Sequence, residues 1–146
     1  MNNTSKISIF LLRISLGFML VASAVSKIAN QGWTAEGYIG KAKTFSGFYH
    51  WLSLPSNVGW VNFLNEWGML LIGLGLVFGV ATRLASFFGI LLMALYYFPI
   101  LQFPYADKSL IVDQHIIFML VFFLLIGFDA GRIWGLDSFL RKIIKV

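Results

Sequence analysis

Four apolar stretches, separated by polar breaks of unequal length, organise this chain. They cover residues 7–28, 60–80, 84–103 and 110–128. Each is close to the roughly 20 residues that an α-helix needs to cross the hydrocarbon of a bilayer. Because backbone groups in lipid must be paired within their own segment, these stretches should be helical. The pattern predicts an all-α membrane protein, a four-transmembrane-helix bundle that forms a single domain over residues 1–146.

The first stretch has two interpretations. Ala22-Ser23-Ala24 resembles a signal-peptidase site, so the stretch could be a cleaved signal peptide. Arg13, however, interrupts the apolar core that a signal peptide requires. We therefore expect an uncleaved first span.

The connection between the first two spans carries its own helical pattern. Phe45, Phe48, Tyr49 and Leu52 recur at i, i+3, i+4 and i+7, which predicts one apolar helix face. We interpret residues 34–54 as an amphipathic outer segment. It is either a membrane-surface anchor, which we favour, or a lid over a pocket between the spans. Residues 136–146 mix apolar and basic positions, which is typical of an amphipathic cytoplasmic tail.

Composition and charge agree with a membrane protein and give its orientation. The chain is 59% hydrophobic and 12% charged, whereas a soluble domain has about 25% charged residues. With four spans the termini share one side, where seven cations lie against four on the other. Since cytoplasmic loops are enriched in Lys and Arg, we expect both termini in the cytoplasm. The seven are Lys6, Arg13, Arg83, Arg132, Arg141, Lys142 and Lys145, and the four are Lys27, Lys41, Lys43 and Lys108.

Several classes of chemistry are excluded by what the sequence lacks. There is no Cys, so disulfides, thiol catalysis and Cys-bound metal clusters are ruled out. Two His residues give no metal motif and make a haem site unlikely to form. No nucleotide-binding motif occurs, and the basic residues are spread along the chain rather than gathered into a nucleic-acid patch. We expect no metal, haem or nucleotide, and no nucleic-acid partner.

Ionisable residues inside the spans indicate where function lies, because they are costly in lipid. Lys27, Glu66 and the Asp113/His115 region should reach similar depth in the outer leaflet. One interpretation is a shared polar site built on Lys27, Glu66 and either Asp113 or His115. The other is a structural Lys27–Glu66 ion pair that only holds the bundle together. Tyr96, Tyr97 and Gln102 of the third span should lie nearby.

Asp113 and His115 themselves stand two residues apart. If both were helical, their side chains would point about 200° apart and could not act as a pair on one face. Asp113 would then lie in the first turn after Ser109, where the helix dipole favours a carboxylate.

Arg13 and Lys27 mark the two ends of one stripe on the first span. They are fourteen positions apart, within about 40° of the same face, with Gly17, Leu20 and Ala24 between them. We expect this stripe to face protein. Arg13 is interpreted as a structural intramembrane charge that either extends to the membrane surface or, as we favour, pairs with Asp129. Glycines at 68, 75 and 79 of the second span, the last two in a GxxxG spacing, predict close helix packing.

Ordered motifs along almost the whole chain resemble the DoxX family of small bacterial membrane proteins, in particular its DoxD-like branch. The motifs are Arg13-x3-Gly17, Ser26-Lys27, Glu66-Trp67-Gly68, Gly73-x-Gly75-x3-Gly79-x2-Thr82-Arg83, Val112-Asp113-x-His115 and Gly131-Arg132-x-Trp134-Gly135-Leu136-Asp137. The resemblance implies a four-helix bundle in the bacterial inner membrane. It also implies a subunit like that of thiosulfate:quinone oxidoreductase, which oxidises thiosulfate to tetrathionate and passes electrons to quinone.

Three functions follow as hypotheses. In the first, the chain is a quinone-linked oxidoreductase subunit in which Lys27, Asp113, Tyr96 and Tyr97 bind substrate or quinone, and Glu66 or His115 exchanges the proton. The chain has no redox centre of its own and no soluble partner domain, so a second membrane subunit would be needed; a homo-oligomer of this chain is a separate alternative. In the second, it is a non-enzymatic membrane scaffold. The third and weakest is a permeation path along the Arg13–Lys27 stripe.

Overall fold

The computed structural model describes residues 1–139, which form six α-helices, a short 3-10 helix and a small antiparallel sheet. The predicted tail lies largely beyond them, since residues 140–146 fall outside the described part. The elements in chain order are α1 (Asn3–Ala29), α2 (Glu36–Ile39), α3 (Ser46–Ser53), α4 (Pro55–Phe78), α5 (Thr82–Ile100), β1 (Leu101–Gln102), β2 (Tyr105–Ala106), β3 (Ser109–Leu110), α6 (Gln114–Gly127) and the 3-10 helix (Ala130–Arg132).

Within residues 1–139, three helices are long and apolar enough to cross a membrane, namely α1, α4 and α5. The predicted fourth span is shorter than expected, because residues 101–110 form the three-stranded sheet β1-β2-β3 instead of extending the flanking helices. Helix α6 has 14 residues. At 1.5 Å per residue it is about 21 Å long, against roughly 30 Å of hydrocarbon. A fourth complete span therefore stays a prediction.

Helices α1 and α4 cross at two glycines that bring their backbones together. A Cβ built on Gly73 would lie 2.9 Å from the Gly17 carbonyl oxygen, and one built on Gly17 would lie 2.9 Å from the Gly73 oxygen. The predicted stripe of α1 does face protein, since Arg13, Gly17, Leu20 and Ala24 are buried. Small residues at such crossings allow the close packing that stabilises helices in lipid.

The other glycines of α4 do not all serve the predicted packing face. Gly68 has nothing within 4 Å of a built Cβ. Gly79 ends the helix with φ 67°, the left-handed conformation that glycine adopts most readily. Only Gly75 of the GxxxG pair packs from within the helix, with a built Cβ 3.2 Å from Ala85. A Cβ built on Gly79 would lie 2.6 Å from the Gly135 Cα, so close packing is confirmed for both glycines of the GxxxG pair and wrong for Gly68.

Helices α5 and α6 pack side by side in opposite directions. The ring of Phe122, which is fully buried, lies against Gly89, and the rings of Tyr96 and His115 lie 5.9 Å apart nearer the outer end. Because Leu20 of α1, Leu76 of α4 and Phe122 of α6 belong to one buried apolar cluster, the four longer helices share a core.

The outer segment is fastened to the end of α5 by side-chain hydroxyls. Pro99 lies inside α5 and has no N–H for the carbonyl of Leu95 four residues earlier. The Tyr49 hydroxyl donates to that carbonyl at 3.0 Å. Thr44 Oγ1 donates to the Leu101 oxygen at 2.6 Å. The segment thus packs on the bundle through specific bonds.

The predicted apolar face of the outer segment is only half buried in the protein. Tyr49 and Leu52 are buried, whereas Phe45 and Phe48 are exposed. Exposed aromatic side chains near the end of a bundle suit the membrane interface. The exposed Phe45 and Phe48 therefore support the anchor interpretation, and the buried Tyr49 and Leu52 support the lid interpretation.

The segment after α6 folds back under the bundle and corrects the predicted partner of Arg13. Asp129 pairs with Arg83 at 3.1 Å and with Arg132 at 2.6 Å. Arg13 is fully buried and donates from Nη2 to the Trp134 carbonyl at 3.4 Å. Asp129 has a left-handed backbone, φ 50°, and the chain turns there so that Trp134, rather than Asp129, lies beneath Arg13.

Asp137 fixes this returning segment. Its carboxylate accepts hydrogen bonds from the backbone N–H groups of Ala81 at 2.7 Å and Thr82 at 3.0 Å. These groups stand at the start of α5, where the first turn leaves N–H donors unpaired. The closing motif seen in the sequence is therefore a cap on a neighbouring helix.

Candidate functional site

The Lys27 side chain, in the last turn of α1, forms the centre of a polar cluster among the helices. Its Nζ donates to Asn65 Oδ1 at 2.7 Å and to the Tyr96 hydroxyl oxygen at 2.6 Å. The Tyr96 hydroxyl donates in turn to Asn65 Oδ1 at 2.7 Å. Three side chains from α1, α4 and α5 thus form one closed hydrogen-bonded triangle.

The predicted Lys27–Glu66 ion pair is absent from this cluster. The antiparallel contact that sets Gly17 against Gly73 also sets Lys27 against Asn65. Glu66 is the next residue on α4 and is therefore rotated by about 100° around the helix. The Glu66 carboxylate is half-buried and makes no hydrogen bond or ion pair with any residue in the range 1–139. Its proposed role in proton exchange stays a prediction.

The direct contacts of the Lys27 ammonium are with neutral groups, and the Glu66 carboxylate acts on its charge only from beyond 4.0 Å. Its Nζ lies 4.6 Å from the ring centroid of Trp33 and 5.0 Å from that of Tyr96, in cation–π geometry. Among the described residues, no carboxylate oxygen lies within 4.0 Å of Nζ. Two neutral acceptors and two aromatic faces stabilise an ammonium without cancelling its charge. The cluster therefore keeps a net positive charge that can attract an anion or a carbonyl oxygen.

A cavity of about 420 Å³ opens beside this cluster. Lys27, Tyr96 and His115 line its polar part, and five apolar side chains surround the remainder. Its volume lies within the range typical of small-molecule sites, which are mostly apolar with a few placed polar groups. The five apolar side chains are Met19, Leu20, Met69, Met93 and Phe118.

Asp113 and His115 do form a pair, which corrects the expectation from helical spacing. Asp113 is the N-cap of α6 and has an extended backbone, φ −118° and ψ −174°, so the helical angle of 200° does not apply to it. Its Oδ1 accepts from the backbone N–H of His115 at 3.0 Å and of Ile116 at 3.3 Å. Its Oδ2 is in contact with His115 Nδ1.

This contact orients the imidazole. A carboxylate beside Nδ1 favours the tautomer that carries its proton there, which leaves Nε2 as an acceptor. No hydrogen bond to Nε2 occurs within residues 1–139, although the side chain is only 14% exposed. Because His115 lines the cavity, its second nitrogen is available to a bound molecule.

A second cavity, of about 450 Å³, lies at the outer end of α6. It is bordered by Asp107, Ser109 and Asp113, and it shares three lining residues with the first cavity: Tyr38, Gln114 and His115. The Tyr38 hydroxyl donates to the Tyr96 carbonyl at 2.6 Å. Burial, followed by the proximity of Tyr96 and Asp113, raises the pKa of Tyr38 well above its usual value, so the hydroxyl remains a donor.

The predicted site residues divide into two groups. The structure brings Lys27, Tyr96, Asp113 and His115 to the two cavities, which share lining residues. Tyr97 is directed elsewhere, because its hydroxyl donates to the Ile111 carbonyl at 2.6 Å and it lines neither cavity. In the described part of the chain no cluster of three or more His, Asp or Glu is placed to hold a metal.

Sequence reasoning missed Asn65, Gln114 and the position of Tyr38. Asn65 is a polar residue inside an apolar span, and that position could have marked it as a candidate. The neighbouring Glu66 was chosen instead because a charged residue is costlier in lipid than an amide. Tyr38 lies in the predicted outer segment, and nothing in the sequence shows that α2 returns to α5.

Comparison with known proteins gives one match. The DoxX family model matches residues 8–100, a range that contains Lys27, Asn65 and Tyr96 and ends before Asp113 and His115. No curated protein and no solved structure matches the chain significantly. The match covers more than half of the chain and agrees with its apolar helices. The chain belongs to the DoxX family and is a membrane protein.

Proposed function

We propose that this protein is the quinone-binding membrane subunit of an oxidoreductase that takes electrons from a small sulfur anion such as thiosulfate. We place it in the bacterial cytoplasmic membrane with both termini in the cytoplasm. The observation that carries the proposal is the Lys27 ammonium, which has no carboxylate partner among the described residues and lies in the wall of a largely apolar cavity opposite the His115 imidazole.

The lining of the cavity fits a quinone head group. Such a group has a flat apolar ring with carbonyl oxygens on opposite edges, and when bound it supplies the capacity to accept two electrons and two protons. The apolar side chains of Met69, Met93 and Phe118 can surround the ring. Lys27 can hold one carbonyl oxygen and stabilise the negative charge that reduction places on it. His115 Nε2 is suited to exchange a proton near the same site.

The reaction balances with a sulfur anion as the electron donor. Two thiosulfate ions joined through a new S–S bond form tetrathionate and release two electrons, which with two protons convert a quinone to a quinol. The uncompensated charge of Lys27 attracts the anion toward the outer end of the bundle. Because the chain itself carries no redox centre, we expect a second subunit to complete the enzyme.

Quinone extraction from protein purified in mild detergent tests the proposal. Lys27→Met should abolish retention of quinone because the charged donor is lost. Lys43→Met is the matched control, since Lys43 bonds only to exposed Gln102 at 3.3 Å, and it should retain quinone at the native level. Thermal unfolding of each sample shows whether the variants fold.

Absence of quinone from every sample, with Lys27→Met clearly less stable than the native chain, would contradict the proposal. The Lys27 cluster would then only stabilise the fold, and this result would support the hypothesis that the protein is a membrane scaffold. Retention by Lys27→Met at the native level would also contradict it, because the site would then lie elsewhere.

A further inference from the structure

We propose that Asp113 and His115 supply protons to the cavity from the outer surface of the membrane, through the second cavity. This inference rests on the proposed function and adds the route and the side from which the protons come. The inference follows from the arrangement of the two cavities, the orientation of the His115 imidazole and the buried apolar side chains on the cytoplasmic side of His115.

The two cavities lie on either side of a wall that includes His115. One contains Lys27 and Tyr96, and the other is bordered by Asp107, Ser109 and Asp113 at the outer loops. His115 lines both, together with Tyr38 and Gln114. The His115 side chain alone could therefore pass a proton from water in the outer cavity to the inner cavity.

The geometry of the pair fits this transfer. Asp113 holds His115 through Nδ1 while it caps α6 through two backbone N–H groups, so both its position and the ring orientation are fixed. A proton from water in the outer cavity forms an N–H bond at Nε2, and Asp113 stabilises the resulting imidazolium. That N–H bond then breaks as an O–H bond forms on the reduced quinone oxygen. Two such cycles supply both protons, and the sulfur anion supplies both electrons.

The groups that face the pair agree with this direction. Asp107 borders the outer cavity, where a carboxylate attracts protons, whereas Lys27 stands on the inner side. Tyr38 and Tyr96 are the other titratable groups next to His115. Toward the opposite end of the bundle, Leu20, Leu76 and Phe122 are fully buried or nearly so and close the core. The described part of the bundle thus has a water-accessible cavity on the outer side of His115, with the buried side chains of Leu76 and Phe122 between His115 and the buried polar residues Arg13, Thr82 and Ser86.

Single-cysteine labelling tests the route, since the native chain contains no Cys. A membrane-impermeant maleimide should label Gln114→Cys in spheroplasts, where only the outer surface is exposed, and should not label it in inverted vesicles. Phe123→Cys is the matched control on the same helix. Phe123 is 69% exposed on the lipid side, so its thiol should stay unlabelled in both preparations. Labelling of Gln114→Cys only from the cytoplasmic side, or no labelling, would overturn the route.

Asp113→Asn separates proton transfer from helix capping. Asn is as good an N-cap as Asp, so the fold should persist, but the carboxylate that stabilises the imidazolium is lost. We expect the rate of quinone reduction by the complete enzyme, expressed per bound quinone, to fall about 100-fold, the size expected for loss of acid–base assistance. A rate equal to that of the native chain would overturn the role of the pair.

Failures of the two proposals are distinguishable. Cysteine labelling does not depend on bound quinone. If Gln114→Cys is labelled from the outer side but the protein binds no quinone, the proposed function and the proton role of the pair are both overturned. Only a water-filled path to His115 would then remain. Native quinone retention together with cytoplasmic labelling would overturn the route and leave the proposed function standing.

Discussion

At the scale of single residues, the central feature is a lysine whose charge is not cancelled. Lys27, Tyr96 and His115 were predicted from their depth along the spans, because polar residues in apolar segments are visible in a sequence. The acceptor Asn65 was not predicted. Asn65 and Glu66 differ by about 100° in direction around α4. Which of them faces Lys27 is determined by the Gly17–Gly73 contact between α1 and α4, which the sequence does not show.

Asn65→Asp should therefore impair the site while preserving the fold. The new carboxylate would pair with Lys27 and cancel the charge on which ligand binding depends. Since a hydrogen bond to a charged group contributes about 1.5–3 kcal/mol, we expect retained quinone to fall about tenfold or more. Gln102→Glu is the control, because it places the same charge beside exposed Lys43. Quinone content and melting temperature are measured for both.

Equal retention in Asn65→Asp and in the native chain would show that the free charge of Lys27 is unimportant. A similar loss in Gln102→Glu would mean that any added negative charge near the outer surface is sufficient, and that the Lys27 cluster is not specific.

At the scale of elements, the three long helices were predicted within a few residues at most ends, whereas the fourth was displaced. Apolar periodicity does not distinguish the end of a helix from a short apolar strand. Residues 101–110 are such a case, since Leu101 and Leu110 continued the apolar runs but lie in β1 and β3. The strands pair with residues at most five positions away, such as Leu101 with Ala106. The usable signal was therefore local, in the turn-forming residues Pro104 and Asp107 between the strands.

Gly73→Ala should destabilise the bundle because a methyl group cannot fit at the α1–α4 crossing. It would lie 2.8 Å from Val21 Cγ2 and 2.9 Å from the Gly17 oxygen. Overpacking of this kind typically costs about 1–3 kcal/mol. Gly68→Ala, on the same helix with open space around it, should be neutral or slightly stabilising. Thermal unfolding in detergent compares the two, and equal stabilities would contradict the assigned crossing.

Tyr49→Phe should loosen the outer segment, because it leaves the Leu95 carbonyl beside Pro99 without a donor. Loss of one hydrogen bond typically costs about 0.5–1.5 kcal/mol. Faster hydrogen exchange in α2 and α3 would report the change. Tyr105→Phe, at an exposed position, should leave exchange in α2 and α3 unaltered. Unchanged exchange in Tyr49→Phe would show that the segment is held by its apolar contacts alone.

The same bond has a defined pH window. Burial raises the pKa of Tyr49 to about 12, above the ordinary value of about 10 for tyrosine. A raised pKa of an acid means that the fold prefers the neutral form. The contribution of Tyr49 is therefore complete below about pH 10 and is lost as the pH rises toward about 12.

At the scale of the whole molecule, the membrane class and the helical bundle were predictable, because composition and apolar length determine them. The arrangement of the ends was not. Arg13 was expected to meet Asp129, but the chain turns at Asp129 and returns through Trp134 and Asp137 to the start of α5. A pairing that depends on a backbone turn cannot be read from charge positions.

Topology depends on whether the short helix α6 crosses the membrane. We expect that it does, aided by the returning segment, so that Asn3→Cys and Ser138→Cys should both be labelled by an impermeant reagent in inverted vesicles and neither in spheroplasts. Labelling of the two positions from opposite sides would show that only three helices cross.

Photolabelling with an azido-quinone, followed by mass spectrometry of the peptides, tests the central claim most directly, which is that the cavity beside Lys27 holds a quinone. We predict label on Met69, Met93 or Phe118, displaced by excess unlabelled quinone and absent in Lys27→Met. Label confined to the lipid-facing surface of α4 and α5, around Leu71, Phe78 and Phe88, or label that persists in Lys27→Met, would contradict the claim.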